Sequence, residues 1–220
     1  MPAMSTETII VRQLGRVSYA PVFRKMTEFT RMRNASTPDE IWVVEHDPVF
    51  TLGQAASRTH ILDAHGISVY ETDRGGEVTY HGPGQLVVYL LIDLKRRFRK
   101  LYVRELVYRI EETIFRALSI YIPARPMYAG WQGAKIAALG LKIRSNGCMY
   151  HGFSLNVAMD LEPFKWIDPC GYRGLAVTDM RSVGFSGRKD EVMQTVLACL
   201  SSELECRLDM ADVMETGNGR

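Results

Sequence analysis

Arg74-Gly75-Gly76-Glu77-Val78-Thr79-Tyr80-His81-Gly82-Pro83-Gly84-Gln85 is the stretch on which the reading of this 220-residue chain turns. Four glycines and a proline fall within it, together with a guanidinium, a carboxylate, an imidazole and a phenol. Apolar runs flank it, Ile67 to Tyr70 on one side and Leu86 to Ile92 on the other, and both read as strands. A hairpin turn needs only about two to five residues, so this link is far longer than a turn. Glycine tolerates positive φ and lets backbone approach a ligand closely. The stretch therefore predicts a binding loop held by a sheet. A dinucleotide-binding fingerprint does not fit, because a strand rather than a helix follows the glycines.

Outward from that loop, the chain alternates strand and helix signals. Thr8 to Leu14 carries the β-branched run of Ile9, Ile10 and Val11 and predicts a strand. Tyr19 to Arg33 places Val22, Phe23, Met26, Phe29 and Met32 at spacings of three and four, which predicts an amphipathic helix. Ile41 to Glu45 predicts a strand stopped by His46-Asp47-Pro48, and Val49 to Gln54 continues extended. Gln85 to Leu94 predicts a strand buried on both faces. Leu101 to Leu118 predicts a helix whose apolar face is Val103, Leu106, Val107, Ile110, Ile114 and Leu118. Ile120 to Arg125 predicts an extended or turning segment. Lys135 to Ile143 reads as a strand pair or a strand bent at Gly140. Asn146-Gly147 marks a turn, and Gly152 to Ala158 alternates as a half-buried strand. Asp160 to Tyr172 reads as a loop. Arg188 to Glu205 predicts the last helix, with Val192, Val196, Leu197, Leu200 and Leu204 inward. This order fits an α+β domain, a mixed and mostly antiparallel sheet packed with helices. One domain over residues 1–206 is expected, followed by a flexible tail over 207–220.

Composition narrows the classes. Apolar residues make up 46%, enough for a core and too many for a disordered chain. The net charge of +2 gives no general case for nucleic acid. Neither a leader pattern nor an apolar run of membrane-spanning length is visible, which predicts a cytoplasmic protein that spans no membrane. The four cysteines, Cys148, Cys170, Cys199 and Cys206, form no CxxC pair and read as free thiols. The five histidines include no His-x-x-x-His pair, so no metal site is expected. A monomer is expected.

Two side chains carry reactive chemistry. Cys170 sits in Asp168-Pro169-Cys170-Gly171, where proline fixes the approach and glycine removes bulk beside the thiol. Many free cysteines are inert small hydrophobes, and that reading stands beside the nucleophilic one. Lys135 opens an otherwise apolar strand; it could simply snorkel, or, if the fold brings it to the thiol, favour the thiolate. His81 and His151 each stand in a Tyr-His-Gly triplet at a predicted strand edge. The basic run Lys95, Arg96, Arg97, Arg99 and Lys100, with Arg24, Lys25 and Arg31, could greet an acidic partner or serve only as solvated charge.

Taken together, these segments resemble the lipoate-protein octanoyltransferases. Arg74 to Gln85 resembles that family's RGG-x-x-T-Y-H-G-P-G-Q signature. Glu45-His46-Asp47-Pro48-Val49, the Lys135–Gly140 strand, His151-Gly152-Phe153-Ser154-Leu155-Asn156-Val157 and Asp168-Pro169-Cys170-Gly171 resemble its other motifs. The resemblance runs over residues 7 to 205. It implies the biotinyl/lipoyl protein ligase-like fold, with a narrow acyl tunnel. It implies that Cys170 accepts an octanoyl group from the phosphopantetheine of an acyl carrier protein, and that Lys135 assists proton transfer. It implies a substrate site formed by Arg74, Gly75, Gly76, Glu77, Val78, Thr79, Tyr80 and His81, with walls from Ala138, Leu139 and Gly140 and from Gly152, Phe153 and Ser154. The implied acceptors are lipoyl domains of 2-oxoacid dehydrogenases and the glycine cleavage H protein, with no cofactor beyond the donor's own phosphopantetheine. The alternatives are an ATP-dependent lipoate ligase of the same fold, an amidotransferase between lipoyl proteins, a non-catalytic lipoyl-domain binder, and a thiol protease.

Overall fold

A computed structural model of the chain describes residues 8–98, 103–122, 130–131 and 133–211. In order these form β1 (Thr8–Val17), α1 (Tyr19–Met32), β2 (Asp39–His46), β3 (Val49–Leu52), β4 (Ser68–Glu71), β5 (Val78–His81), β6 (Gln85–Asp93), α2 (Leu94–Arg97) and α3 (Val103–Tyr121). They continue as β7 (Gly130–Trp131), β8 (Ala134–Lys135), β9 (Ala137–Ile143), β10 (Cys148–Asn156), α4 (Lys189–Glu203) and β11 (Arg207–Met210). The main sheet has six strands in the order β11-β1-β2-β6-β10-β9. β1 runs parallel to both its neighbours, while β2–β6, β6–β10 and β10–β9 are antiparallel. A second sheet, β4-β3-β5, stands beside it. This is the expected mixed α+β architecture.

β6 explains the two-sided core. Its residues alternate across the sheet. Leu86, Val88, Leu90 and Ile92 join α3 and α4 on one face, against Leu106, Ile110, Val192 and Val196. Val87, Tyr89 and Leu91 join Val22 and Met26 of α1 on the other. A strand covered on both sides has no use for polar residues, which is why it reads as an unbroken apolar run. A third, smaller core lies under the second sheet, where Phe50, Leu52, Val78 and Tyr80 meet Phe164 and Ile167.

Several expectations are corrected. The central stretch is not loop throughout, since Val78–His81 pairs antiparallel with β3. The alternation of that strand sends Tyr80 into the third core. α3 continues through Ile120 and Tyr121, which read as extended. The tail expected to begin at residue 207 instead continues as β11, paired parallel with β1 from Thr8↔Arg207 to Val11↔Met210. Buried Leu204 and Cys206 anchor the chain there, and β11 covers a sheet edge that β1 would otherwise leave open. Residues 212–220 of that expected tail lie outside the described residues.

Part of the basic run also has a structural use. Arg96 and Arg97 turn onto the fully buried carboxylate of Asp39 at 2.8 and 3.0 Å, where Arg33 joins them at 2.5 Å. Lys95 Nζ donates to Ser145 O at 3.1 Å. Arg24, Lys25 and Arg31 are exposed on α1. Arg99 and Lys100 lie outside the described residues. Among the described residues, no helix is long and apolar enough to cross a membrane.

Candidate active site

Close backbone approach builds the site. Gly140 of β9 lies opposite Gly152 of β10 in the antiparallel register. A Cβ on Gly140 would sit 2.8 Å from Gly75 O, and one on Gly152 would sit 2.0 Å from Val88 O. Side chains at either position would push the 74–76 loop or β6 away. Gly75 N donates to Leu141 O at 2.8 Å, which pins the loop across the end of β9.

Arg74 holds the loop from inside. Its Nη2 donates to Thr51 O at 2.7 Å, Thr51 Oγ1 at 2.9 Å and Glu77 O at 2.8 Å. Its Nε donates to Thr51 Oγ1 at 3.3 Å and its Nη1 to Gly75 O at 3.0 Å. Burial pushes the guanidinium below its ordinary value, yet arginine starts so high that it stays charged. The result is a buried cation that ties the loop carbonyls of Gly75 and Glu77 to Thr51 of β3 and also lines the cavity described below.

The two reactive side chains meet. Lys135 is clasped by the later chain: its N donates to Ala176 O at 2.8 Å and its O accepts from Thr178 N at 2.9 Å. Cys170 stands in a tight 3-10 turn, Pro169–Gly171, with φ 58° and ψ 20°. That left-handed conformation is uncommon for a residue with a side chain, and such strain concentrates at functional sites. Lys135 Nζ donates to Cys170 Sγ at 2.7 Å. The other three cysteines are buried, and burial pushes each of their thiols up, which makes them poor nucleophiles.

Both groups open onto a cavity of about 540 Å³, its mouth included. From the loop and β5, Arg74, Gly76, Glu77, Val78, Thr79 and His81 line it. Ala138, Leu139 and Gly140 form one wall, and Gly152, Phe153 and Ser154 another. Gly75 and Tyr80 do not line it. Gly75 is spent on the Leu141 contact, and the Tyr80 ring packs on Phe50 and Phe164 with centroids 5.6 and 5.5 Å apart.

The structure adds Tyr19, Val87, Tyr89 and His151 to the lining. Tyr19 stacks on His81 with centroids 6.2 Å apart. In the sequence Tyr19 is only a helix start, and Val87 and Tyr89 vanish inside an apolar run. His151 sits within β10 at φ 63°. That reversal puts Tyr150 and His151 on one side of the strand, where both donate to Asp73; the His151 Nε2 contact measures 2.9 Å.

Burial disfavours the charged form of the His46, His81 and His151 imidazoles. Burial, then neighbouring His46, pushes His81 down to about 3. Gln85 spends its amide N–H groups on Tyr80 O and Asn156 Oδ1, so its Oε1 accepts from His81 Nδ1–H at 2.7 Å. Burial brings His46 to about 4; its Nδ1–H donates to Val17 O and its Nε2 accepts from Tyr89 O–H at 2.7 Å. Burial also lowers His151, against the pull of Asp73. The cavity thus offers a largely apolar wall with neutral imidazoles, a buried guanidinium at one side, the Glu77 carboxylate, and a thiol–ammonium pair. Among the described residues, no group of three or more His, Cys, Asp or Glu could hold a metal ion.

The family model described as lipoyl protein ligase A/B catalytic domain matches residues 19–201, and the chain belongs to that family. An octanoyltransferase from Herminiimonas arsenicoxydans is 54% identical over 207 residues, covering 89% of this chain and 96% of that protein. One from Janthinobacterium sp. (strain Marseille) is 53% identical with the same coverage. Within the family, then, its place is among the octanoyltransferases. A lipoate-protein ligase A bound with ATP has a similar fold, with a TM-score of 0.69 at 14% identity, covering 96% of this chain and 90% of that one. So does a bi-partite lipoate protein ligase from Thermoplasma acidophilum, with a TM-score of 0.67 at 16% identity, covering 94% and 88%.

Proposed function

We propose that this enzyme moves an octanoyl group from the phosphopantetheine thioester of an acyl carrier protein to a lysine of a lipoyl domain, through a thioester on Cys170. The observation that carries the reading is the 2.7 Å contact from Lys135 Nζ to Cys170 Sγ at the rim of an apolar cavity. An ammonium at that distance stabilises negative charge on sulfur, and the thiolate is the nucleophile. The sulfur attacks the donor carbonyl, the bond to the carrier's sulfur breaks, and Lys135 gives its proton to the departing thiolate. The acceptor amine then attacks the octanoyl-Cys170 thioester and releases the Cys170 thiolate. An amide is more stable than a thioester, so no nucleotide is needed.

The acceptors in this reading are lipoyl domains of 2-oxoacid dehydrogenases and the glycine cleavage H protein. Arg74, Gly76, Glu77, Val78, Thr79, His81, Ala138, Leu139, Gly140, Gly152, Phe153 and Ser154 enclose the acyl chain. Gly75 and Tyr80 act on the loop that supports it. An ATP-dependent ligase has no use for a cysteine at this position, which favours the transferase over that alternative.

Intact-mass measurement after mixing with octanoyl carrier protein tests the relay. Wild type gains one hydroxylamine-labile octanoyl group, Cys170→Ala gains none, and Lys135→Ala slows both transfers. Absence of the adduct in wild type, or incorporation of free lipoate that depends on ATP, overturns the proposal.

A further inference from the structure

Counting protons exposes a role that Lys135 cannot fill alone; the count rests on the relay proposed above. In the first transfer Lys135 gives its proton to the departing carrier thiolate and is left as a neutral amine. The acceptor lysine arrives as an ammonium, because lysine titrates near about 10.4. Amide formation leaves one hydrogen on that nitrogen, so two protons must leave it. One restores the Lys135 ammonium. Cys170 departs as the thiolate that this ammonium stabilises. The second proton therefore needs another acceptor, close to the thioester and connected to water.

The imidazoles inside the cavity do not suit. His81 is buried with its Nε2 facing the Thr51 hydroxyl at 3.4 Å, and His46, which is buried behind the lining, has its Nε2 taken by Tyr89 O–H at 2.7 Å. The His151 side chain is 2% exposed and gives its Nε2–H to Asp73. Glu77 and His60 are placed differently. Glu77 lines the cavity, and its Oε2 lies 3.2 Å from His60 Nδ1. Their side chains are 25% and 27% exposed, so the pair touches both the site and solvent. Both press on Gly171, the residue after Cys170. A Cβ there would lie 3.3 Å from His60 Cε1, 3.4 Å from Glu77 Cδ and 3.5 Å from Glu77 Oε1. Gly171 has φ 73°, and its bare Cα gives Glu77 access to the thiol-bearing turn. His60 is tied to the same segment, since its O accepts from Asp168 N at 2.8 Å.

We propose that Glu77, paired with His60, receives the ε-ammonium of the acceptor lysine beside Cys170 and carries its second proton to solvent. The carboxylate attracts the incoming cation. As the C–N bond forms and the C–S bond breaks, the proton passes from nitrogen to the Glu77–His60 pair and then to water. Glu77 is on this account a catalytic residue of the second transfer, and His60 a positioning residue.

Glu77→Gln tests this, because it keeps the size of the side chain and removes its charge. Octanoyl-enzyme is prepared from wild type and variant, then mixed in single turnover with either a lipoyl domain or hydroxylamine. Hydroxylamine is already a neutral amine near neutral pH. The expected result is a loss of about tenfold or more toward the lipoyl domain, with the hydroxylamine rates within about twofold of each other. Glu77→Asp recovers part of the lipoyl-domain rate. Equal losses toward both nucleophiles would mean the pair merely clamps the Cys170 turn, and no loss toward either would leave it without a role; each result overturns the proposal. Failure of wild type to form octanoyl-enzyme at all would instead sink the relay itself.

Discussion

Arg74→Lys isolates what the guanidinium does for the loop. Arg74 is 9% exposed, and its donors reach three backbone carbonyls, Thr51 O, Gly75 O and Glu77 O, as well as the Thr51 hydroxyl. A lysine keeps the charge but presents one point of donation where arginine presents a fork. It cannot serve Nη1 and Nη2 partners together, so one or two buried carbonyls lose their donor. Each buried polar group left unpaired costs about 1–3 kcal/mol, which sums to about 1–6 kcal/mol here. With a urea slope of about 2 kcal/mol/M, the unfolding midpoint should fall by about 0.5–3 M. Far-UV circular dichroism in urea measures it. In the same variant, acyl-enzyme formation should slow even in the absence of urea, since the loop that packs on Gly140 loses its internal brace. A midpoint within about 0.2 M of wild type, with unchanged acylation, would refute the brace and return Arg74 to a purely ligand-facing role.

Three further outcomes are expected. Gly152→Ala puts a methyl 2.0 Å from Val88 O in the middle of the main sheet, and should cost about 3 kcal/mol by urea unfolding. Asp39→Asn removes the carboxylate that Arg33, Arg96 and Arg97 share; leaving buried cations uncompensated should cost about 3–5 kcal/mol, read from the same unfolding curves. His81 and His46 are held by burial near about 3 and about 4. Imidazoles in the unfolded chain take up protons below about 6.5, while these two stay neutral in the fold. Their contribution is thus complete above that value and is lost as pH falls toward 4 and then 3, by at most about 1.4 kcal/mol per pH unit each. His81→Gln should therefore narrow the stability difference between about pH 7 and about pH 5; an unchanged difference would show that His81 is not the group responsible.

What the sequence discloses follows from where its signals are local. β6 and α3 announce themselves because burial on one or both faces leaves a periodic mark on the residues themselves. The glycine-rich stretch announces chemistry because no turn needs so many functional groups. Tyr80 shows the limit: inside a motif it looks like a ligand contact, and only the pairing of β5 with β3 assigns it to a core. His151 shows another. Strict alternation would separate Tyr150 and His151 across the sheet, and a single backbone reversal at φ 63° brings both to Asp73. The basic run reads as a surface, yet Asp39, distant in the chain, draws Arg96 and Arg97 inward.

The Lys135–Cys170 contact looks like the hardest case, because these residues are far apart in sequence. Its geometry is nonetheless set over a short distance. Lys135 is hydrogen-bonded through its own backbone to Ala176 and Thr178, which follow Cys170 by only a few residues. The turn at Pro169–Gly171 folds the intervening chain back, and the unusual φ of Cys170 swings Sγ toward Nζ. The long-range step is therefore one pairing, β8 beside the 176–178 segment, bridged at Lys135↔Val177. Once that pairing forms, proximity of amine and thiol is a local consequence of a proline, a strained cysteine and a glycine. The Asp168-Pro169-Cys170-Gly171 tetrapeptide carries that local part in plain sight; the pairing that completes it leaves no mark on either residue.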